Sequence, residues 1–98
     1  MEYIILFLEK GKSALLGKVL QDDAVSRQSI KVQEPSSLGL KGDGTYLMIE
    51  GAPEALNKAK EIAGPEARSI EGADKENIRN KILEAEESVA EGLGMMFG

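Results

Sequence analysis

The chain opens on six consecutive apolar residues, Tyr3-Ile4-Ile5-Leu6-Phe7-Leu8, stopped by Glu9-Lys10-Gly11. Aromatic and β-branched side chains in so short a run predict a strand followed by a turn. Successive side chains of a strand alternate, so Tyr3, Ile5 and Phe7 take one face and Ile4, Leu6 and Leu8 the other. Both faces then need cover, which places the strand in the interior of its sheet. The segment Ser13 to Leu20 carries two patterns. Leu15/Val19 and Leu16/Leu20 pair at helical spacing, whereas Gly17 weakens a helix and Asp22-Asp23 reads as a hairpin turn, and the balance favours a strand. Ser29-Ile30-Lys31-Val32-Gln33 alternates polar and apolar up to Glu34-Pro35, as a half-buried strand does. Gly42-Asp43-Gly44 marks a tight turn, and Thr45 to Glu50 forms the next strand, closed by Gly51.

From Ala52 the period changes to 3.6. Pro53 suits the first helical turn and Glu54 its positive end, while Ala55, Leu56, Ala59 and Ile62 form an apolar stripe that Gly64-Pro65 terminates. Ala67 to Ile70 reads as a short strand. A last helix is expected from an Asp74 N-cap through Ile78, Ile82, Ala85 and Val89 to Gly92. Strands gathered in the first half with helices after them predict one α+β domain over residues 1–98, an antiparallel β-sheet with the two C-terminal helices packed on one face. A helical Ser13–Asp22 gives the alternative, a ferredoxin-like β-α-β-β-α-β order plus a terminal helix.

Composition narrows the chemistry. The 98 residues include no His, Cys or Trp. Without His no unperturbed side chain titrates between about pH 5 and 8. Without Cys there is no thiolate nucleophile, disulfide or sulfur ligand. The chain therefore reads as a non-enzyme that binds, with no cofactor beyond a Ca²⁺ ion. The apolar N-terminal run is far shorter than the roughly 20 residues of a membrane span, and its Glu2 flank lacks the basic start of a signal peptide. A cytoplasmic protein with no membrane partner is the expectation.

The net charge of −5 is uneven. Residues 1–49 carry six acidic and six basic groups, and residues 50–98 carry eleven acidic against six basic. Such a field repels phosphate backbones, so nucleic acid is not expected as a partner. Gly11-Lys12-Ser13 resembles the end of a P-loop, but Leu6 stands where that loop needs its first glycine. Gly39-Leu40-Lys41-Gly42 matches the short G-x-x-G pattern of KH domains, yet it precedes a strand and not a helix. The alternative to an interaction domain is a Ca²⁺ site in which Asp22, Asp23 and Asp43 converge from two turns at one sheet edge. The C-terminal Leu93, Met95, Met96 and Phe97 are unusually apolar for a terminus and read as an interface, docked on the chain's own core, on a second copy in a homodimer, or on a protein partner.

The stretch Gly42-Asp43-Gly44-Thr45-Tyr46-Leu47-Met48-Ile49-Glu50-Gly51-Ala52-Pro53-Glu54-Ala55 resembles the β-α halves of small archaeal α+β proteins of unknown function, and more loosely ferredoxin-like regulatory domains of the ACT type. The resemblance implies an architecture and carries over no functional residue.

Overall fold

The computed structural model describes the backbone of residues 2–97 and the side chains of residues 2–86. Four strands, β1 (Glu2–Glu9), β2 (Ser29–Gln33), β3 (Gly44–Gly51) and β4 (Ala67–Ser69), form one antiparallel sheet in the order β2-β3-β1-β4. The helices are α1 (Ser13–Gln21), α2 (Asp23–Ser26), α3 (Pro53–Ala63) and α4 (Gly72–Phe97). The class is α+β, as expected.

Residues 13–21 are helical, so the connectivity is the ferredoxin-like alternative, β-α-β-β-α-β with α2 as an added turn and α4 as the terminal helix. The paired leucines and Val19 outweigh Gly17 because they face the sheet, with Val19 fully buried, while nothing lies within 4 Å of where a Gly17 side chain would be. Asp22-Asp23 is not a hairpin turn either. The Asp22 carboxylate accepts the Ala24 and Val25 N–H groups at 3.1 Å and caps α2. This cap is worth about 1 kcal/mol and restarts the helix in a new direction.

Strand order decides which face each helix takes. β1 and β2 run parallel with β3 between them, and β3 and β4 run parallel with β1 between them. Two interleaved crossovers of the same hand bring their helices to the same face, as the general preference for one hand leads one to expect. On that face Ile4, Leu6, Leu8, Leu47 and Ile49 pack with Val19, Val25, Leu56, Ala59 and Ala63. The expectation of two C-terminal helices on one face is therefore corrected. The crossover commits α3 to the face of α1, and α4, which follows the last strand, covers the other.

That second face carries Ile5, Tyr46, Met48 and Ile70, closed by Ile78 and Ile82 of α4 and by Leu38 from the 3₁₀ turn Pro35–Leu38. α4 crosses it diagonally. Lys75 lies over the Tyr3 ring of β1 at 4.5 Å, Arg79 reaches Glu50 of β3 at 4.0 Å, and Glu86 pairs with Lys31 of β2 at 3.3 Å. The helix begins at Gly72, ahead of the expected Asp74 cap, and runs beyond Gly92.

Of the expected α3 stripe, Ala55, Leu56 and Ala59 are buried and Ile62 is partly buried against the same core, with buried Ala63 added at the end. Small side chains at three of these positions let the helix lie close to the sheet. Leu56→Ala is expected to cost about 2–5 kcal/mol in chemical denaturation, against no more than about 0.5 kcal/mol for exposed Lys58→Ala. Equal effects would contradict this helix phase. Gly44 offers a second check. Its φ is +143°, and an added Cβ would meet the Leu8 carbonyl oxygen and the Phe7 ring. Gly44→Ala should cost about 3 kcal/mol or more, whereas Gly39→Ala, at φ +72° in open space, should cost only about 1 kcal/mol.

Candidate functional site

Concave sites among the described residues differ in charge, as three of them show. The first lies where the β1–α1 and β2–β3 loops meet, and it brings together Gly11-Lys12-Ser13 and Gly42-Asp43-Gly44. Lys10 and Lys12 are outnumbered there by Glu9, Glu34 and Asp43, and Lys12 is held by Glu66 at 3.2 Å. No side chain caps the start of α1. The cleft is balanced by its own carboxylates.

A second cleft, between β1, α3 and α4, contains Lys60 and Lys75 with Glu2 and Tyr3. Lys75 is engaged by the Tyr3 ring, and both lysines act on Glu71. The Ser69 hydroxyl donates to Glu71 Oε1 at 2.7 Å. That bond is the main reason the Glu71 carboxyl is held below the usual carboxylate range; desolvation opposes it, and Lys60 and Lys75 add to the lowering. These cations already have a counter-charge.

The third is different. A groove of about 340 Å³ runs between α4, β4 and the β2–β3 loop. Leu40, Tyr46, Ile70 and Ile78 form its floor, and Lys41, Arg68, Asp74, Asn77 and Lys81 form its rim. Each cation comes from a separate element: Lys41 from the loop after the 3₁₀ turn, Arg68 from β4, and Lys81 from α4. Asp74, Asn77 or Ile78, and Lys81 lie three or four residues apart, so one flank of α4 supplies them all. Arg68 stands opposite Phe7 in the β1–β4 ladder, with its guanidinium 5.4 Å over the Phe7 ring. That ring in turn packs on Tyr46 at 4.8 Å between centroids. Lys41, Arg68 and Lys81 form no ion pair among the described residues. Three cations therefore face one carboxylate across an apolar floor, in a chain of net charge −5.

The aspartates of the sequence reading do not share an edge. Asp43 precedes β3, whereas Asp22 and Asp23 lie at the far end of that strand, where the Gln28 carboxamide oxygen accepts the Ala52 N–H at 3.1 Å. Eight residues of β3 separate the two ends by about 24 Å. Asp22 is occupied as a cap, and Asp23 pairs with Arg27 at 3.2 Å. No group of three or more acidic residues that could hold a metal ion occurs among the described residues. Leu93, Met95, Met96 and Phe97 have side chains that lie outside the described residues. Lys41 was weighed in the sequence as part of G-x-x-G. Arg68 and Lys81 were missed, because only the β1–β4 register and the path of α4 bring them to it.

No protein-family model, curated protein or solved structure matches the chain. No helix among the described residues is long and apolar enough to cross a membrane.

The Ser69–Glu71 contact makes a direct check on these charges. Glu71 has a depressed folded-state pKa, so it stabilises the fold above its unfolded pKa, and that contribution is lost as pH falls through the folded value. In Ser69→Ala the Glu71 titration followed by side-chain carboxyl NMR should move up toward the ordinary range. An unchanged midpoint would mean that the hydroxyl is not the main cause.

Proposed function

We propose that the protein is a non-enzymatic binding domain that acts through protein contacts, and that its binding face is the groove rimmed by Lys41, Arg68 and Lys81. The observation that carries this reading is the set of three cations that form no ion pair among the described residues, around one apolar floor. A solvated lysine on a convex surface needs no partner. Three cations converging on a concavity repel one another, and an anionic group seated between them relieves that repulsion.

The overall charge does not oppose this. At physiological salt the Debye length is about 8 Å, so charge farther than that from the groove is largely screened, while its own rim is not. The lack of His and Cys supports binding over catalysis, and the lack of Cys suits a reducing compartment such as the cytoplasm.

Titration with inorganic pyrophosphate, followed by NMR, tests the reading without knowledge of the partner. Saturable shifts at Tyr46, Arg68, Asn77 and Lys81 are expected at low salt, reduced in Lys81→Ala and reduced further in Arg68→Ala/Lys81→Ala. Small shifts spread evenly over all twelve Lys and Arg residues would contradict it, because they would report general screening and no site.

A further inference from the structure

We infer that the groove takes an acidic peptide segment anchored by one apolar side chain, an inference that rests on the groove being the binding face. The division of the groove decides the class of ligand. Its floor is apolar, from Leu40, Ile70 and Ile78, and its cations stand at the rim. A small inorganic anion would satisfy the rim and leave the floor wet. An apolar side chain would fill the floor and leave the rim unpaired. A peptide with a large aliphatic residue between Asp or Glu residues satisfies both. This is the common division of labour at interfaces, where a central anchor supplies affinity and charged rim pairs supply orientation and rate.

Single-stranded nucleic acid carries the same charge but needs a different surface. Its bases bind by stacking on open aromatic faces. Here Tyr46 is buried, and the Phe7 ring is taken by Tyr46 and by the Arg68 guanidinium. Among the described residues no ring in the groove is open to a base. The carboxylate excess in residues 50–98 further disfavours a long polyphosphate, which would extend past the basic rim onto an acidic surface, whereas a short peptide ends within the groove.

Fluorescence anisotropy with the full chain tests this. One labelled probe is a synthetic peptide with a single leucine flanked on both sides by aspartates. Its controls are the same peptide with serine in place of leucine and an oligothymidylate of equal charge. The leucine peptide should bind, and it should weaken about tenfold or more when the leucine becomes serine. It should also weaken in Lys41→Ala, Arg68→Ala and Lys81→Ala and with added salt. Each variant is an exposed or half-exposed rim position, and its far-UV spectrum shows whether the fold is kept. Equal binding of the leucine and serine peptides, with pyrophosphate still shifting the groove, would overturn the peptide anchor and leave the anionic groove standing. Tighter binding of the oligothymidylate at the groove would overturn the peptide in favour of nucleic acid. Failure of every probe, pyrophosphate included, would overturn the binding face itself.

Discussion

The burial of β1 on both faces constrains everything else in this protein, since a strand with Ile4, Leu6 and Leu8 on one side and Ile5 and Phe7 on the other cannot lie at an edge or face water. β3 on one side and β4 on the other satisfy its backbone, and each face then needs its own layer. Crossover handedness sends α1 and α3 to the first face. The second is left to the one element free of a crossover, which is why a terminal helix is part of the core and why Ile82, far from β1 in sequence, is fully buried. Full burial of each large aliphatic side chain contributes about 1.5–3 kcal/mol. Ile5 and Ile82 alone are thus comparable to a sizeable part of the net stability of an ordinary domain.

The groove is a consequence of that covering. α4 runs diagonally, held at Tyr3, Glu50 and Lys31, so it leaves one corner of the sheet uncapped beside β4. The corner takes its apolar floor from Tyr46 and Ile70 on the sheet side with Leu40 of the loop and Ile78 of α4, and its polar rim from β4, the helix flank and the β2–β3 loop. Elsewhere the cations near concave surfaces are matched by Glu66, Glu71 or an aromatic ring. Here Lys41, Arg68 and Lys81 form no ion pair among the described residues, Arg68 resting only on the Phe7 ring, and the proposed binding face is the place where core geometry and a local excess of cations coincide.

Much of this architecture was legible in the residues. The central placement of β1, the strand Thr45–Glu50, the stripe of α3 and the short strand after Pro65 all follow from local pattern. Residues 13–21 read locally as a strand because Gly17 and Asp22-Asp23 carry the signals of a turn, and only the sheet-facing leucines and the Asp22 cap reveal the helix. The face taken by α4 was not legible, because it depends on strand order, and nothing in the helix itself records which side is vacant. The same holds for the site. Lys41 stood out within a glycine loop, but Arg68 and Lys81 sit in ordinary polar positions of their own elements, and long-range register alone joins them. The proposed convergence of Asp22, Asp23 and Asp43 assumed one edge for two turns that the crossover places at opposite ends.

The absence of Trp makes the two tyrosines, Tyr3 and Tyr46, reporters of the face that α4 covers. Denaturation of Ile82→Ala, followed in parallel by tyrosine fluorescence and far-UV circular dichroism, therefore tests the central claim directly. If α4 is a layer of one core, the substitution should cost about 2–5 kcal/mol, and both signals should fall in a single coincident transition. A tyrosine transition that precedes the loss of secondary structure, or a cost below about 0.5 kcal/mol of the kind seen at surface positions, would show that the sheet stands without α4 and would contradict the account.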